Sequence, residues 1–217
     1  MDTLDDMAEV SQIQKYVSED SAAVFRVAWY AIASKPNVLL ESYSEAESTI
    51  FQGDAKFSLH IGGEKAFASI KVNEKDSSIE LHAQGKDEVA LKVYLDGIMK
   101  QLEEALDKFK ALSETDRAKL RRALVAKTCW DRVVHYILKK APLSEVYYQV
   151  AHGREMIIKA TEGDASVNPV TLTTSGWLTN IESLPRDQPL PGNIASELAK
   201  KSIEWKRETH EVINRYL

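Results

Sequence analysis

Basic side chains recur on one face of the helix predicted at about residues 115–140. At about 100° per residue, six polar side chains fall within a sector of about 60°: Arg117, Arg121, Thr128, Arg132, His135 and Lys139. A row of cations could follow a phosphate backbone, because each cation that neutralises a phosphate releases a condensed counterion. The same row could contact an acidic protein surface. Arg117, Arg121, Arg132 and Lys139 are therefore the candidate partner-binding residues.

The net charge of the chain changes sign partway along it. Residues 1–112 carry 12 Lys and Arg against 20 Asp and Glu, a net of −8, whereas residues 113–217 carry 16 against 13, a net of +3. The most basic stretch, residues 117–159, holds ten basic residues against three acidic ones. This asymmetry favours an acidic partner, and it also permits homo-oligomerisation, with the acidic part of one copy meeting the basic part of another.

Two interpretations of the basic stripe stay open. Tyr136, Tyr147 and Tyr148 could offer rings on which bases stack, which is typical of nucleic-acid binding. A row of cations is also what an ordinary solvent-exposed helix face looks like, and Asp131, near the same sector, could pair with His135.

A helix-turn-helix is a further alternative. A short turn at 141–143 joins the basic helix to another predicted at 144–160, whose exposed side chains would include Gln149, Arg154 and Lys159. Such turns are common between packed helices, and no diagnostic DNA-binding pattern accompanies this one. We therefore expect a protein partner more than a nucleic acid.

Local signatures of catalysis or metal binding are missing. Asp131 with His135, and His152 with Glu155, each share a helix face as metal ligands can, but such pairs arise by chance among five histidines and 33 acids. Gly-rich phosphate loops, H-E-x-x-H and C-x-x-C are absent. We assign no catalytic residue, no metal ligand and no cofactor, and we expect a non-enzymatic protein.

Composition points to a soluble globular protein. The chain has 217 residues and a single cysteine, which excludes an internal disulfide and fits a reducing compartment. No apolar run approaches the roughly 18–20 residues that span a bilayer. The acidic first six residues lack the basic region of a secretory signal. We expect a cytoplasmic protein without membrane contact.

The first part of the chain predicts a small antiparallel sheet between helices. Apolar residues at helical spacing predict helices at 4–17, where Thr3 and Asp6 would form a capping box, and at 20–34. Period-two patterns then predict a β-meander of three to four strands at 38–84, with Gly62-Gly63 as a hairpin turn. A long amphipathic helix at 87–111 would cover one sheet face.

The second part is predicted to be mainly α-helical. After helices at 115–140 and 144–160, residues 161–192 contain four of the six prolines and are expected to form mostly loop. A last helix is predicted at about 194–216. The fold class is therefore α+β, with an acidic module at 1–112 and a locally basic helical module at 113–217.

The functional expectation is a binding or adaptor protein that contacts an acidic partner through residues 117–159. One alternative is nucleic-acid binding through the same surface. The other is a small-molecule enzyme or ligand binder with a pocket at the sheet–helix junction.

Overall fold

The computed structural model describes residues 7–16, 20–35, 37–47, 50–162 and 168–217. Over these residues, five strands and six helices follow one another in the order β1 (Ala8–Lys15), α1 (Ser21–Ala33), β2 (Leu39–Glu47), β3 (Phe51–Ile61), β4 (Glu64–Asn73), β5 (Ser78–Gly85), α2 (Glu88–Ala111), α3 (Glu114–Leu138), α4 (Leu143–Ala160), α5 (Asn168–Glu182) and α6 (Gly192–Ile213). The fold is α+β, as the sequence predicts. The chain divides into two compact units, Met1–Asp107 and Lys108–Leu217.

The first unit contains one antiparallel sheet with strand order β1-β5-β4-β3-β2. Strands β2 to β5 are neighbours in sequence and in space, which confirms the predicted meander. Gly62 and Gly63 join β3 to β4 with φ values of 62° and 86°. Such positive values at both positions suit glycine and the tight hairpin turn expected here.

The predicted helix at 4–17 is wrong over its described part, because Ala8–Lys15 forms strand β1. All eight residues of β1 pair with β5, from Ala8 opposite Gly85 to Lys15 opposite Ser78. Ile13, expected on the buried face of a helix, is 70% exposed. Pairing with the open edge of β5 has overridden a short local periodicity, and the sheet has five strands instead of three to four. The proposed capping box at Thr3 and Asp6 lies outside the described residues.

Helix α1 packs against β3 and β4. It begins at a capping residue, Asp20, whose carboxylate accepts a hydrogen bond from the Ala23 N–H at 2.8 Å. Its Trp29 ring meets Phe57 of β3 edge to face, with ring centroids 5.2 Å apart. A Cβ atom on Gly53 would lie 2.8 Å from the Phe25 ring, so this strand position must lack a side chain for α1 to pack so closely.

Helix α2 buries a stripe of apolar residues, as predicted: Leu91, Leu95, Ile98, Leu102, Leu106 and Phe109. Two polar side chains of β1 form hydrogen bonds to residues of α2 outside this stripe. Gln12 donates a hydrogen bond to Asp96, and Gln14 donates one to Glu103 at 2.8 Å. Two of the four inward-facing side chains of β1 are thus polar, which explains why the strand did not show a clear apolar alternation.

In the second unit, α3 packs against both α4 and α6, and α4 also packs against α5. Trp130 of α3 is fully buried and lies against Trp205 of α6, with ring centroids 5.3 Å apart. Its indole N–H donates a hydrogen bond to the Thr209 hydroxyl at 2.9 Å. A Cβ atom on Gly153 of α4 would lie 2.6 Å from the same ring. Glycine at this position therefore sets the close approach of α3 and α4.

The expectation that residues 161–192 are mostly loop is wrong over its described part, because Asn168–Glu182 form α5, whereas residues 163–167 lie outside the described residues. Pro169 occupies the first turn of α5, where proline is tolerated because its missing N–H would have no partner within the helix. Buried Val170, Thr174 and Ile181 anchor the helix. Tertiary packing thus stabilises a helix in a stretch whose threonines and prolines lower its intrinsic helix propensity.

Within the described residues, no helix combines the length and apolarity that crossing a bilayer requires.

Candidate binding surface

Helix α3 carries the four predicted partner-binding residues. It begins at Ser113, whose hydroxyl accepts a hydrogen bond from the Asp116 N–H at 3.1 Å. At its other end, Lys139 caps the helix and Lys140 adopts a left-handed conformation with φ of 53°. The Ala141 N–H then donates a hydrogen bond to the Tyr136 carbonyl at 2.9 Å. This C-cap leaves both lysines exposed at the helix end.

Arg117 and Arg121 share one carboxylate at the start of α3. Their guanidinium groups lie 3.6 Å and 3.0 Å from the Glu114 carboxylate. Arg117 also donates a hydrogen bond to the Leu112 carbonyl at 3.1 Å, and the Arg121 guanidinium lies 5.4 Å from the centroid of the Phe109 ring. Both side chains are only about one third exposed. These contacts within the chain already offset part of their charge.

The predicted stripe is interrupted between its two ends. Thr128 is buried, and its hydroxyl donates a hydrogen bond to the Val125 carbonyl at 2.8 Å. Arg132 is half-buried, whereas Lys139 is exposed. At about 1.5 Å per residue, Lys139 lies about 27 Å along the helix axis from Arg121. The structure therefore places the four residues on one helix without bringing them together.

Aromatic side chains near the stripe already contact neighbouring residues. The Arg186 guanidinium lies 3.6 Å from the centroid of the Tyr147 ring, and the Tyr148 ring stacks on His152 with centroids 5.7 Å apart. Tyr136 lies against His135, also with centroids 5.7 Å apart. Tyr147 and Tyr148 thus each have one ring face covered by a neighbouring side chain.

Helix α4 does not present the side chains that a helix-turn-helix would need. Gln149 is only 4% exposed, which contradicts its expected exposure. Arg154 donates a hydrogen bond to the Ser175 hydroxyl at 2.7 Å, and Lys159 lies 2.5 Å from the Glu155 carboxylate. Because α4 packs against both α3 and α5, its sequence-predicted recognition face is largely committed to contacts within the unit.

The possible metal-ligand pairs have other neighbours. The Asp131 carboxylate lies 2.5 Å from the Lys206 ammonium, His152 stacks on Tyr148, and Glu155 pairs with Lys159. In the part of the chain that the structure describes, three or more His, Cys, Asp or Glu side chains never gather in a metal-binding arrangement. Cys129 is buried and is not in a disulfide.

A pocket of about 360 Å³ lies at the C-terminal end of α3, between α4 and the start of α6. Slightly more than half of its lining surface is apolar, and the lining includes Ile137, Lys140, Ala141, Val146, Pro189, Leu190 and Ala195. The pocket lies within the helical unit and not at the sheet–helix junction, where the alternative function would place one. Its volume is near the lower end of the roughly 300–1,000 Å³ that is common for small-ligand sites.

The segment 183–191, which forms one wall of this pocket, is fixed to the start of α4. The N–H groups of Leu143 and Ser144 donate hydrogen bonds to the carbonyls of Gln188 and Arg186, at 2.8 Å and 2.9 Å. These bonds satisfy two backbone donors of the first turn of α4, whose N-cap, Pro142, provides no side-chain acceptor. The wall is therefore held in place before any partner binds.

Buried charged side chains connect α3 to α6 outside the pocket. Lys127 is 1% exposed and lies 3.9 Å from the Asp131 carboxylate, which also pairs with Lys206. Burial lowers the pKa of Lys127 to about 7, although Asp131 opposes this shift and Lys206 adds to it. Burial, together with Lys127, also lowers the pKa of His210. Two ammonium groups thus share one buried carboxylate.

Neither the pocket nor the buried charges were predicted from the sequence. The pocket depends on Pro189, Leu190 and Ala195, which approach α3 only in the folded unit. Lys127, by contrast, follows Ala123 by four residues and precedes Asp131 by four. A lysine on the apolar side of a helix, one turn before an aspartate, is the sequence signal that could have indicated a buried ion pair.

Comparisons of the chain with protein-family models, with curated proteins and with solved structures returned no match. The geometry and charge of the site are therefore the basis for assigning a function.

Proposed function

We propose that this chain is a non-enzymatic binding or adaptor protein that contacts an acidic protein partner through the basic surface of residues 117–159. The C-terminal end of α3 is the centre of this contact. Lys139 is the principal residue of the predicted set, and Arg117, Arg121 and Arg132 contribute more weakly. The supporting observation is a difference between the two ends of α3. At the start of the helix, Glu114 already pairs with both Arg117 and Arg121. At its end, Lys139 has no ion pair among the described residues.

Lys139 and Lys140 support the proposal because they are adjacent, exposed and available. Neither lysine has an ion pair among the described residues, and both follow the last turn of α3. An acidic partner could pair with them without first breaking a contact within the chain. Replacing both lysines with Glu therefore removes two attractive charges and adds two repulsive ones, while leaving the core unchanged.

An acidic protein is favoured over nucleic acid by the spacing of the cations. Binding along a phosphate backbone needs several cations in a continuous track. Here Lys139 lies about 27 Å from Arg121 along the helix axis and farther from Arg117, and the buried Thr128 lies between them. A compact cluster of carboxylates could match the two lysines alone. A second copy of the chain is one such partner, because residues 1–112 carry a net charge of −8.

Fluorescence anisotropy provides the first test. The labelled probes are a short glutamate-rich peptide and single- and double-stranded DNA and RNA of similar length, each at about 50 and 200 mM salt. We expect the peptide to bind wild type, and K139E/K140E to lose this binding. The control is K200E/K201E, which changes two neighbouring lysines of α6 that lie outside the pocket.

Three results would contradict the proposal. Equal peptide binding by K139E/K140E and K200E/K201E would remove the end of α3 from the site. Binding to DNA or RNA but not to the peptide, with a steep loss at higher salt, would instead support the nucleic-acid alternative. Unchanged peptide binding after Arg117, Arg121, Arg132 and Lys139 are all replaced with Glu would exclude the basic surface. Light scattering at both salt concentrations would show whether the partner is a second copy.

A further inference from the structure

We infer that the pocket at the end of α3 receives one large apolar side chain of the acidic partner, while Lys139 and Lys140 pair with carboxylates on either side of it. The partner segment is therefore an acidic peptide with an apolar residue at its centre. This inference rests on the proposed function and adds to it the chemistry of the recognised segment. It concerns the apolar wall of the pocket, which is formed in part by Pro189, Leu190 and Ala195, outside residues 117–159.

The walls of the pocket favour an apolar group. Ile137, Val146 and Leu190 contribute branched aliphatic side chains, and Ala195 contributes a methyl group. Displacing water from such a surface is favourable in proportion to the apolar area buried. Lys140 also lines the pocket and is exposed, so its ammonium group is available to an anion attached to the apolar group. The pocket therefore suits an apolar group that has an anion close by.

The arrangement of the two lysines favours a peptide over a free small acid. Consecutive residues point about 100° apart around a helix, and the left-handed conformation of Lys140 turns the chain further at this point. One carboxylate could pair with Lys140 in the pocket, but Lys139 would then remain exposed. A chain with acidic residues on both sides of an apolar one provides a carboxylate for each lysine.

The wall of the pocket is preformed. Its wall at 183–191 is held by the two backbone hydrogen bonds to Leu143 and Ser144 and by the contact of Arg186 with Tyr147. A preformed wall reduces the ordering cost that association would otherwise carry. The apolar residue of the partner should therefore add measurably to affinity, beyond the salt-sensitive attraction between charges.

The test compares two labelled glutamate-rich peptides, one with a central leucine and one with serine at the same position. Burial of a leucine side chain corresponds to an increase in affinity of about 10-fold or more. We expect wild type to prefer the leucine peptide by this factor. Methyl NMR signals of Ile137, Val146 and Leu190 should shift with the leucine peptide and change much less with the serine peptide.

Ala195→Phe fills the pocket and should reduce binding of the leucine peptide to the level of the serine peptide. The control is Ser196→Phe, which adds the same ring at the next, exposed position of α6. If Ala195→Phe fails to fold by circular dichroism, Leu190→Gln provides a second variant, because it places an uncharged polar group in the wall. We expect either pocket variant to leave the weak, charge-based binding of the serine peptide unchanged.

The outcomes separate this inference from the proposed function. Equal binding of both peptides, together with loss of binding in K139E/K140E, would overturn the inference and leave the proposed function standing. Failure of both peptides to bind at about 50 mM salt would overturn both. If octanoate shifts the same methyl signals while neither peptide does, the pocket is a site for small acids, and the peptide inference is wrong.

Discussion

The two units of the chain differ in what they bury. Among the described residues of Met1–Asp107, the buried polar side chains are those of Ser21 and Ser58. The described part of Lys108–Leu217 buries seven: Lys127, Thr128, Asp131, Gln149, Thr174, Ser202 and Thr209. The sheet unit is thus stabilised mainly by an apolar core and by its backbone hydrogen bonds. The helical unit also depends on the protonation of buried side chains, so the two units should respond differently to charge removal and to pH.

Asp131→Asn should have the largest effect on this difference. It removes the negative charge that both Lys127 and Lys206 approach, at 3.9 Å and 2.5 Å. Removing one partner of a buried ion pair typically costs about 3–5 kcal/mol, because the remaining charge is left buried. Hydrogen exchange should accelerate in α3 and α6 while β3 and β4 stay protected.

Glu45→Gln is the matched control in the first unit, where Glu45 pairs with Arg26 at 3.3 Å and both side chains are about 15% exposed. It should accelerate exchange in α1 and β2 and leave α3 unchanged. Equal acceleration in all helices and strands, for either variant, would show that the units unfold together and would remove the contrast.

The dependence of stability on pH should have opposite signs in the two units. The pKa of Lys127 is about 7 in the folded protein and 10.5 ordinarily, so the unfolded state binds more protons between these values. The free energy of unfolding of the helical unit should therefore rise with pH across this window. In the sheet unit, burial raises the pKa of Tyr30 to about 12 and also raises that of Tyr94, so stability should fall as pH rises above about 10.

Lys127→Met isolates the lysine contribution. It leaves the ion pair between Asp131 and Lys206 intact and replaces a buried amine with an apolar chain of similar length. We expect stabilisation of about 1–4 kcal/mol at pH 6 and a flatter profile between pH 7 and 10.5, measured by urea unfolding with exchange in α3 as the local readout. A profile as steep as that of wild type would assign the pH dependence to other groups.

Lys140→Gly should have the smallest effect. Lysine at a φ of 53° is strained, and glycine is not, so the substitution should stabilise the helical unit by about 1 kcal/mol. Asn37 is the counterpart in the sheet unit, with φ of 64°. Because asparagine tolerates this conformation better than lysine, Asn37→Gly should change the melting temperature less. A larger gain at Asn37 than at Lys140 would contradict this ranking.

Strong local signals predicted most of the fold. The alternating patterns around Gly62-Gly63 located β3 and β4, and the apolar stripe of Leu91, Leu95 and Ile98 located α2. The failures occurred where tertiary contacts decide the structure. The inward face of β1 is partly polar, because Gln12 and Gln14 bond to α2. Helix α5 forms because Val170, Thr174 and Ile181 are buried.

For the candidate site, the sequence located the basic helix but did not show which of its basic side chains form ion pairs within the chain. The spacing of Arg117, Arg121, Arg132 and Lys139 was visible in the sequence. The pairing of Arg117 and Arg121 with Glu114 was not, because it depends on side-chain rotamers. The pocket was not visible at all, because Val146 and Ala195, which line it together, are 49 residues apart in sequence. A periodic pattern describes one element, whereas a pocket is a property of several.

The contact between Trp130 and Trp205 has an optical consequence. Their ring centroids are 5.3 Å apart and their planes are inclined by 56°, so the electronic transitions of the two indoles should couple as an exciton. Such a pair gives a circular dichroism couplet that is lost when the rings separate. Trp29 lies in the other unit, against Phe57 and Tyr43, and contributes no such indole pair there. The helical unit therefore carries its own spectroscopic reporter of folding, without any added label.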